Sequence, residues 1–346
     1  MKFVDLLRQY QTDLAQLNLS RDQQWAIHQL LVCRKIEGGQ LDYQCQDCHE
    51  HQLIKHSCGH RFCPQCGHAN NQQWLNRQQQ KLLPVNYFMV TFTLPSQLRG
   101  LAMHHSKMIY SMLMKCAVET LQSFARNDKK LGGKLGIMAV LHTHSRQLIY
   151  HPHVHLMVPA GSLSTRKQWQ KKNSKYLFKE QNLATVFRAK FLTALKEKGF
   201  SVKETLPKHW ISHCKKVGKG APALKYLARY LYRGVVNERN LLWLNNGQLT
   251  WQYKDSTSKK MVKKTESVIQ FLLKVLRHVL PKGFHRVRDY GLLHGANKLI
   301  LKQLQLMLQI TLPDLLEVKP IEIFCQCCGQ LMKFCGFIKQ QYRTSI

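Results

Sequence analysis

The sequence predicts an α+β protein. We expect helices to flank a central antiparallel sheet, with a helical and zinc-ribbon-like module at the N-terminus and a small Cys-rich tail at the C-terminus. Cysteine pairs with metal-ligand spacing occur near both ends of the chain. Apolar and β-branched runs typical of strands occupy the middle, and segments with helical periodicity lie between them.

The charge of the chain indicates a polyanionic partner. Its 52 lysines and arginines against 19 acidic residues give a formal net charge of +33, an excess typical of proteins that bind nucleic acid or an anionic membrane. No apolar run approaches the roughly 18 residues that a membrane span needs. Aromatic residues dispersed among the cations can stack on bases. We therefore expect DNA and no membrane as the partner. Without a signal-peptide core at the N-terminus, we expect a cytoplasmic protein.

The N-terminal residues 3 to 33 are predicted to be helical. Apolar side chains recur at helical spacing as far as Leu17. Ser20, followed three residues later by Gln23, predicts the capping box of a second helix. A further helix is expected over residues 69 to 82.

The cysteine-rich segment from 33 to 68 has the spacing of a structural zinc site. Two Cys-x2-Cys pairs can supply four thiolates, which close a tetrahedral shell and leave no position open for catalysis. Other donors in the segment could replace one of the four or form a second site. The predicted ligands are the two pairs and the cysteine between them, namely Cys45, Cys48, Cys63, Cys66 and Cys58. The remaining spare donors are Cys33, His56 and His60.

A third Cys-x2-Cys pair, Cys325 and Cys328, lies near the C-terminus. No second pair follows it. A complete zinc site there would need Cys327, Cys335 or a histidine from elsewhere in the chain. With no secretion signal, the cysteines point to metal sites in a reducing compartment and not to disulfides.

The middle of the chain supplies the predicted sheet. Residues 87 to 94 read as a buried strand, and residues 106 to 126 have helical periodicity. Residues 135 to 144 form the next predicted strand. Only a short polar turn separates it from the histidine-rich strand that begins near residue 150, so these two strands should be antiparallel neighbours.

The segment His151-Pro152-His153-Val154-His155 holds three histidines in five residues and runs into an apolar stretch. Side chains two apart on a strand share a face, so His153 and His155 should project together. His151 joins them if Pro152 lies at the start or edge of the strand. Adjacent neutral imidazoles are a metal-ligand arrangement. Candidates for a third ligand, in falling order, are His151, His142, His144 and Gln147.

A second motif follows on a helix that Pro222 is placed to begin. Tyr226 and Tyr230 are four residues apart and therefore share a helix face. Packing onto the core is the commoner fate of such a pair, but the cations around this one favour phosphate. The residues expected to contact DNA are Lys225, Arg229, Arg233, Arg286 and Arg288.

Together the two motifs suit the cutting of DNA. A tyrosine hydroxyl can attack a phosphodiester, which leaves a phosphotyrosine on one strand end and a free hydroxyl on the other. A divalent cation on His153 and His155 can polarise the phosphate and orient it for in-line attack. Two tyrosines allow two cuts without release of the DNA. Single-stranded substrate fits, because its exposed bases can stack on aromatic side chains.

At these motifs the chain resembles the two-tyrosine HUH endonucleases, and over most of its length it resembles the rolling-circle transposases of the insertion sequence 91 family. The matching stretches are residues 61–66, 83–85, 87–88, 91–95, 151–155, 225–230 and 280–292. The resemblance implies an N-terminal zinc-binding domain, an HUH-type sheet, structural Zn²⁺ and catalytic Mg²⁺ or Mn²⁺. It further implies single-stranded DNA at element ends and target DNA as partners, and association with the bacterial nucleoid when DNA is bound.

Residue roles follow from the same resemblance. It implies that His153 and His155 bind the catalytic metal and that Tyr226 and Tyr230 are nucleophiles. Some relatives keep only the tyrosine that matches Tyr226, which makes it the stronger candidate. Phe62 departs from the family, since relatives often have histidine there.

We expect three regions. They are a helical and zinc-binding DNA-binding domain over 1–80, an HUH catalytic domain over 81–300, and a C-terminal helix and Cys-rich tail over 301–346. The alternatives are a plasmid replication initiator or relaxase with the same chemistry, a non-catalytic zinc-dependent nucleic-acid-binding protein, and a hydrolase whose histidines bind zinc.

Overall fold

In the computed structural model of the protein, the described residues are 1–60, 63, 66–201, 205–232, 235–255, 258–313 and 322–339, without the side chains of 67–71, 229, 230 and 232. The helices of this part are α1 (Phe3–Gln9), α2 (Gln11–Ala15), α3 (Arg21–Val32), α4 (Gly67–Gln79), α5 (Arg99–His104), α6 (Ser106–Asn127), α7 (Glu180–Glu197), α8 (Ala221–Tyr232), α9 (Val268–Leu276) and α10 (Lys298–Met307).

The strands of the same part are β1 (Gln40–Cys45), β2 (His51–Lys55), β3 (Tyr87–Thr93), β4 (Gly133–Lys134), β5 (Gly136–His144), β6 (Tyr150–Pro159), β7 (Gly161–Ser164), β8 (Trp169–Lys171), β9 (Ser212–Lys216), β10 (Leu241–Asn245), β11 (Gln248–Lys254), β12 (Met261–Ser267), β13 (Val287–Gly291) and β14 (Met332–Ile338). Every sheet pairs its strands antiparallel. The predicted α+β class is confirmed. None of the described helices is both long and apolar enough to span a membrane.

The chain forms two compact units. The first unit consists of Met1–Trp74, Leu231–Val279 and Leu315–Ile346, and the second consists of Leu75–Tyr230 and Leu280–Asp314. Each unit is therefore built from segments that are distant in sequence.

The first unit contains two three-stranded sheets, with the orders β14-β1-β2 and β10-β11-β12. The predicted capping box begins α3, where the Ser20 side chain and the Gln23 side chain accept hydrogen bonds from each other's backbone N–H. A tight hairpin turn joins β10 to β11. Asn246 and Gly247 both have positive φ, as a two-residue type I′ turn requires.

The second unit is organised by a five-stranded sheet with the order β13-β5-β6-β3-β9. The predicted antiparallel pairing of β5 with β6 is confirmed. Alternate residues of the central strands, such as Phe92, Leu141 and Val154, pack with α6 and α7 into the main core. The intervening residues, which include His153 and His155, therefore lie on the opposite face of the sheet.

Two segments contain strands that the sequence analysis does not predict. Residues 161–171 contain the short hairpin of β7 and β8, in which the Trp169 ring covers Gly161 so closely that a Cβ there would overlap it. The basic segment after His285 contains β13, an edge strand that pairs with β5. These three strands are too short for hydrophobic periodicity to reveal them.

Candidate active site and metal centres

Three histidines on the open face of the five-stranded sheet form a compact group, His142, His153 and His155. One ring nitrogen from each lies within 4.8 Å of those of the other two. Strand register explains the grouping. His142 is the cross-strand partner of His153, and the pleat places His155 two residues along on the same face.

His142, not His151, supplies the third nitrogen of this group, which corrects the first-ranked candidate from the sequence. The register between β5 and β6 shifts between His142 and His144, so β6 carries an extra residue beside Pro152. In addition, an Arg99 guanidinium N–H lies 3.1 Å from His151 Nδ1. Because arginine can only donate, Nδ1 accepts and the proton of a neutral His151 ring sits on Nε2, which removes that atom as a ligand.

The three grouped histidines are neutral at physiological pH and could hold a metal ion. Burial lowers the pKa of His153 to about 4 and that of His155 to about 3, and it holds the pKa of His142 well below its ordinary value. At neutral pH each ring therefore has a nitrogen lone pair to offer a cation.

Hydrogen bonds orient two of the rings. His153 Nδ1–H donates to the backbone carbonyl of His151 at 2.6 Å, which leaves Nε2 as the lone-pair nitrogen. His155 Nδ1 lies 3.1 Å from the hydroxyl of Thr91, its cross-strand partner on β3. When Nδ1–H donates to that hydroxyl, Nε2 of His155 is likewise open to a metal.

Tyr226 lies beside this group. It is on α8, its side chain is 48% exposed, and its ring centroid is 6.4 Å from that of His155. The phenol is therefore accessible to a substrate and not sealed in the core. The predicted second tyrosine, Tyr230, is on the same helix, but its side chain lies outside the described residues.

The predicted DNA-contacting cations lie at several positions. Lys225 is exposed on α8 next to Tyr226. Arg286 donates from Nε to the carbonyl of Leu141 at 2.9 Å, and its charge contributes to the lowered pKa of His142 and His153. Arg288 stacks over the Phe284 ring. The Arg229 side chain and Arg233 lie outside the described residues.

The cysteines form two separate quartets in the first unit. The first quartet consists of Cys33, Cys58, Cys63 and Cys66. Cys33 follows α3, and its Sγ is 3.5 Å from those of Cys63 and Cys66. Burial raises the pKa of the Cys33 thiol to about 11, and the neighbouring Cys63 thiol raises the pKa of Cys58. Four thiolates this close repel one another, so a bound cation is needed to stabilise all four.

The second quartet consists of Cys45, Cys48, Cys325 and Cys328. The sequence expectation that Cys45 and Cys48 share one shell with Cys63 and Cys66 is corrected by this pairing. β1 pairs with β14, which brings the turn containing Cys325 and Cys328 against the turn that follows β1. Cys33 and Cys58 fill the places that were assigned to Cys45 and Cys48 in the other quartet.

Comparisons with known proteins fit this arrangement. A family model described as "Transposase zinc-binding domain" matches residues 6–94. A second, described as "Putative transposase", matches residues 136–299. The chain is 30% identical over 300 residues to "Putative transposase y4qJ" of Sinorhizobium fredii (strain NBRC 101917 / NGR234), which covers 80% of this chain and 75% of that protein. The chain belongs to the insertion sequence 91 family of transposases.

The chain is also similar to the "Transposase for insertion sequence element IS801" of Pseudomonas savastanoi pv. phaseolicola. It is 27% identical over 287 residues, which span 77% of this chain and 69% of the relative. No solved structure matches the chain.

The two family models cover different clusters of the transposase, and part of one cluster lies outside both. The transposase model covers the three histidines and Tyr226. The zinc-binding model covers the whole first cysteine quartet but only two members of the second, because Cys325 and Cys328 lie far beyond residue 94.

Sequence reasoning missed two features of this transposase site. It assigned no role to Thr91 or Arg99, whose partners are apparent only once β3 and α5 are placed beside β6. It also expected Cys327, Cys335 or a histidine to complete the C-terminal site, whereas Cys45 and Cys48 lie beside Cys325 and Cys328. A signal was present, because Cys45 and Cys325 each begin the same Cys-Gln-x-Cys sequence.

Proposed function

We propose that this transposase cuts and rejoins single-stranded DNA through a 5′-phosphotyrosine intermediate during rolling-circle transposition. The observation that carries the proposal is the exposed Tyr226 phenol beside three neutral imidazoles whose nitrogens converge. A nucleophile beside an open ligand set is the arrangement that metal-assisted phosphoryl transfer needs.

The donor set fits a catalytic divalent cation. His142, His153 and His155 would hold Mg²⁺ or Mn²⁺, and three protein ligands would leave coordination positions for substrate. When bound, the cation would neutralise charge on a non-bridging phosphate oxygen. The Thr91 hydroxyl and the His151 carbonyl fix the orientation of two rings, and Arg286 adds positive charge beside them.

The proposed cleavage step balances as an exchange of esters. Tyr226 Oη loses its proton and forms a bond to phosphorus, while the bond from phosphorus to the 3′-oxygen of the preceding nucleotide breaks. That oxygen takes up a proton and leaves as a free 3′-hydroxyl. Rejoining is the reverse, with a 3′-hydroxyl attacking the phosphotyrosine, so no nucleotide cofactor is consumed.

Tyr230 is the proposed second nucleophile, since a residue four positions away on a helix shares the face of Tyr226. Lys225, Arg229, Arg233, Arg286 and Arg288 are proposed to contact DNA phosphates. We further propose that the N-terminal region, including a structural Zn²⁺ on the first cysteine quartet, is a DNA-binding module and that the HUH-type sheet is the catalytic domain.

The test is formation of a covalent protein–DNA adduct. Full-length protein is incubated with single-stranded oligonucleotides from the ends of its element and Mn²⁺, and adducts that survive denaturation are counted. Tyr226→Phe should abolish the adduct, because it removes the attacking oxygen and keeps the ring. The matched control, Tyr176→Phe, changes another exposed tyrosine of the second unit and should leave the yield unchanged. Full adduct yield from Tyr226→Phe would reject Tyr226 as the first nucleophile.

A further inference from the structure

We infer that the second cysteine quartet is a structural zinc site that fastens the C-terminal hairpin to the N-terminal part of the chain. This hairpin spans residues 322–338, with the Phe324–Leu331 bridge at its turn and β14 as its second arm. Its ligands are Cys45, Cys48, Cys325 and Cys328. The inference does not depend on the proposed chemistry of the histidine site, since the two involve different units of the molecule.

The sulfur positions match a tetrahedral shell. Cys45 Sγ is 3.3 Å from Cys328 Sγ, and Cys48 Sγ is 3.5 Å from Cys325 Sγ. Zinc–sulfur bonds of about 2.3 Å in a tetrahedron separate neighbouring sulfurs by roughly 3.8 Å. The observed separations are close to that value and well above the roughly 2.05 Å of a disulfide.

The two halves of the site have the same local structure. The Cys45 N–H donates to the Glu50 carbonyl at 2.9 Å, and the Cys325 N–H donates to the Gln330 carbonyl at 2.8 Å, so each turn closes over the same number of residues. Each turn also has a left-handed residue directly after its second cysteine, with φ of 58° at His49 and 76° at Gly329. Two matching knuckles that face each other are the construction of a zinc ribbon.

Apart from the pairing of β14 with β1, the described part of the C-terminal hairpin has only a small buried core. The buried hydrophobic cluster around it consists of Cys45, Cys325 and Met332, with Tyr43 and Ile323 partly buried against it. Aromatic residues of β14, such as Phe334, are about half exposed. A sheet with so small a core is marginal in water. Bound metal would supply the missing stabilisation, because its binding free energy becomes folding free energy.

The donor set selects zinc among common cations. Four thiolates are soft ligands that suit zinc and disfavour Mg²⁺ or Ca²⁺. They also close the shell, so the site would have a structural and not a catalytic role.

The same hairpin carries matched controls. Cys327 and Cys335 lie within a few residues of the ligands but outside the quartet. The Cys327 backbone N–H donates to Cys325 Sγ at 3.4 Å, a contact that any residue at this position can make. Cys335 Sγ lies 3.9 Å from Gln44 Oε1. Serine at these two positions should leave the metal site intact.

The experiment measures zinc per chain in full-length protein purified under reducing conditions, by elemental mass spectrometry. We expect the double variant Cys325→Ser/Cys328→Ser to hold one zinc fewer than the parent, and Cys327→Ser/Cys335→Ser to hold as many as the parent. Cys45→Ser/Cys48→Ser should lose the same single zinc. All four ligand changes combined should lose no more than either pair.

A second measurement follows the hairpin itself. Limited proteolysis of C-terminally tagged protein should release the tag faster from Cys325→Ser/Cys328→Ser than from Cys327→Ser/Cys335→Ser. Zinc content equal to the parent in the ligand variant would overturn the inference, as would an equal loss in the control variant. Thiols of the parent that resist alkylation after denaturation without reductant would mean disulfides in place of zinc, and would also overturn it.

Discussion

The histidine group and the second cysteine quartet each bring several possible ligand atoms within 4.8 Å of one another. The two groups are assembled from different kinds of segments. The histidines come from β5 and β6, adjacent strands joined by a short turn, and Tyr226 lies exposed beside them. The quartet comes from turns near opposite ends of the sequence, which meet because β1 pairs with β14.

The two groups also differ in their donor atoms. Three nitrogens on an open sheet face leave coordination positions for a substrate, whereas four thiolates fill a tetrahedral shell. The first arrangement suits a reaction and the second suits the fastening of a hairpin. A substitution at one of the two sites should leave the other unchanged, so each site is an internal control for the other.

The largest effect is expected from removal of the third histidine. His142→Ala deletes a ring that lies within ligand distance of His153 and His155, and loss of a direct ligand should exceed the roughly 10–100-fold cost of losing a supporting contact. We expect Mn²⁺ affinity, measured by titration calorimetry, to fall more than about 100-fold. Zinc content, which depends on the cysteines, should not change.

The control for this change is His151→Gln. His151 faces Arg99 and lies outside the histidine group, so this variant should bind Mn²⁺ within a few-fold of the parent. A reversal of the two results would restore His151 as the third ligand, as the sequence first ranked it.

A smaller effect is expected at Thr91, which contacts a ligand and not the metal. Thr91→Val keeps the shape of the side chain and removes the hydroxyl 3.1 Å from His155 Nδ1. We expect Mn²⁺ affinity to fall about 10–100-fold, the range for lost supporting contacts, with little change in thermal stability. Thr93→Val, on the same face of β3, is the matched control. Equal effects of both variants would mean that the loss comes from the strand and not from the hydroxyl.

The sequence predicted the local features of the histidine site. The pleat of a strand places His153 and His155 on one face, and a short turn makes β5 and β6 neighbours, so both features follow from residues close in sequence. The choice between His142 and His151 did not follow. It depends on the register shift beside Pro152 and on Arg99, and both arise from tertiary pairing.

The cysteine pairings were missed for a related reason. Metal-ligand spacing identifies a knuckle but does not say which second knuckle completes it. Cys45 and Cys48 lie nearer in sequence to Cys63 than to Cys325, so proximity favoured the wrong grouping. The pairing of β1 with β14 decides it, and strand pairing across most of the chain has no local signature.

The free energy of unfolding at acidic pH should report the burial of the histidine group. In the unfolded chain histidine takes up a proton near pH 6.5, whereas in the folded protein the pKa of His153 is about 4 and that of His155 about 3. Between these values the unfolded state binds more protons, so the free energy of unfolding should fall as pH falls from about 6.5 towards 4. Above pH 7 the effect should be absent.

Denaturant unfolding of metal-free protein measures this loss. We expect a loss of about 1–2 kcal/mol per ring by pH 5, because one pKa unit corresponds to about 1.36 kcal/mol and pH 5 lies about 1.5 units below the unfolded value. The variant His153→Gln/His155→Gln should have a flatter pH profile than the parent by that amount. Exchange of the exposed His28 for Gln should not flatten it. A parent profile as flat as that of the double variant would contradict the lowered pKa values.

The smallest effect on stability is expected in the two turns that carry the second quartet, residues 45–50 and 325–330. His49 has φ of 58°, where a residue with a Cβ is strained, and glycine occupies the equivalent place as Gly329. A Cβ at Gly329 would meet no atom within 4 Å, so the cost of Gly329→Ala is conformational and not steric. His49→Gly should therefore raise the free energy of unfolding by about 0.5–1 kcal/mol, and Gly329→Ala should lower it by a similar amount. Chemical denaturation of zinc-loaded protein measures both. If the two changes shift the free energy of unfolding in the same direction, the two turns are not equivalent. Their matched geometry would then no longer support the zinc site.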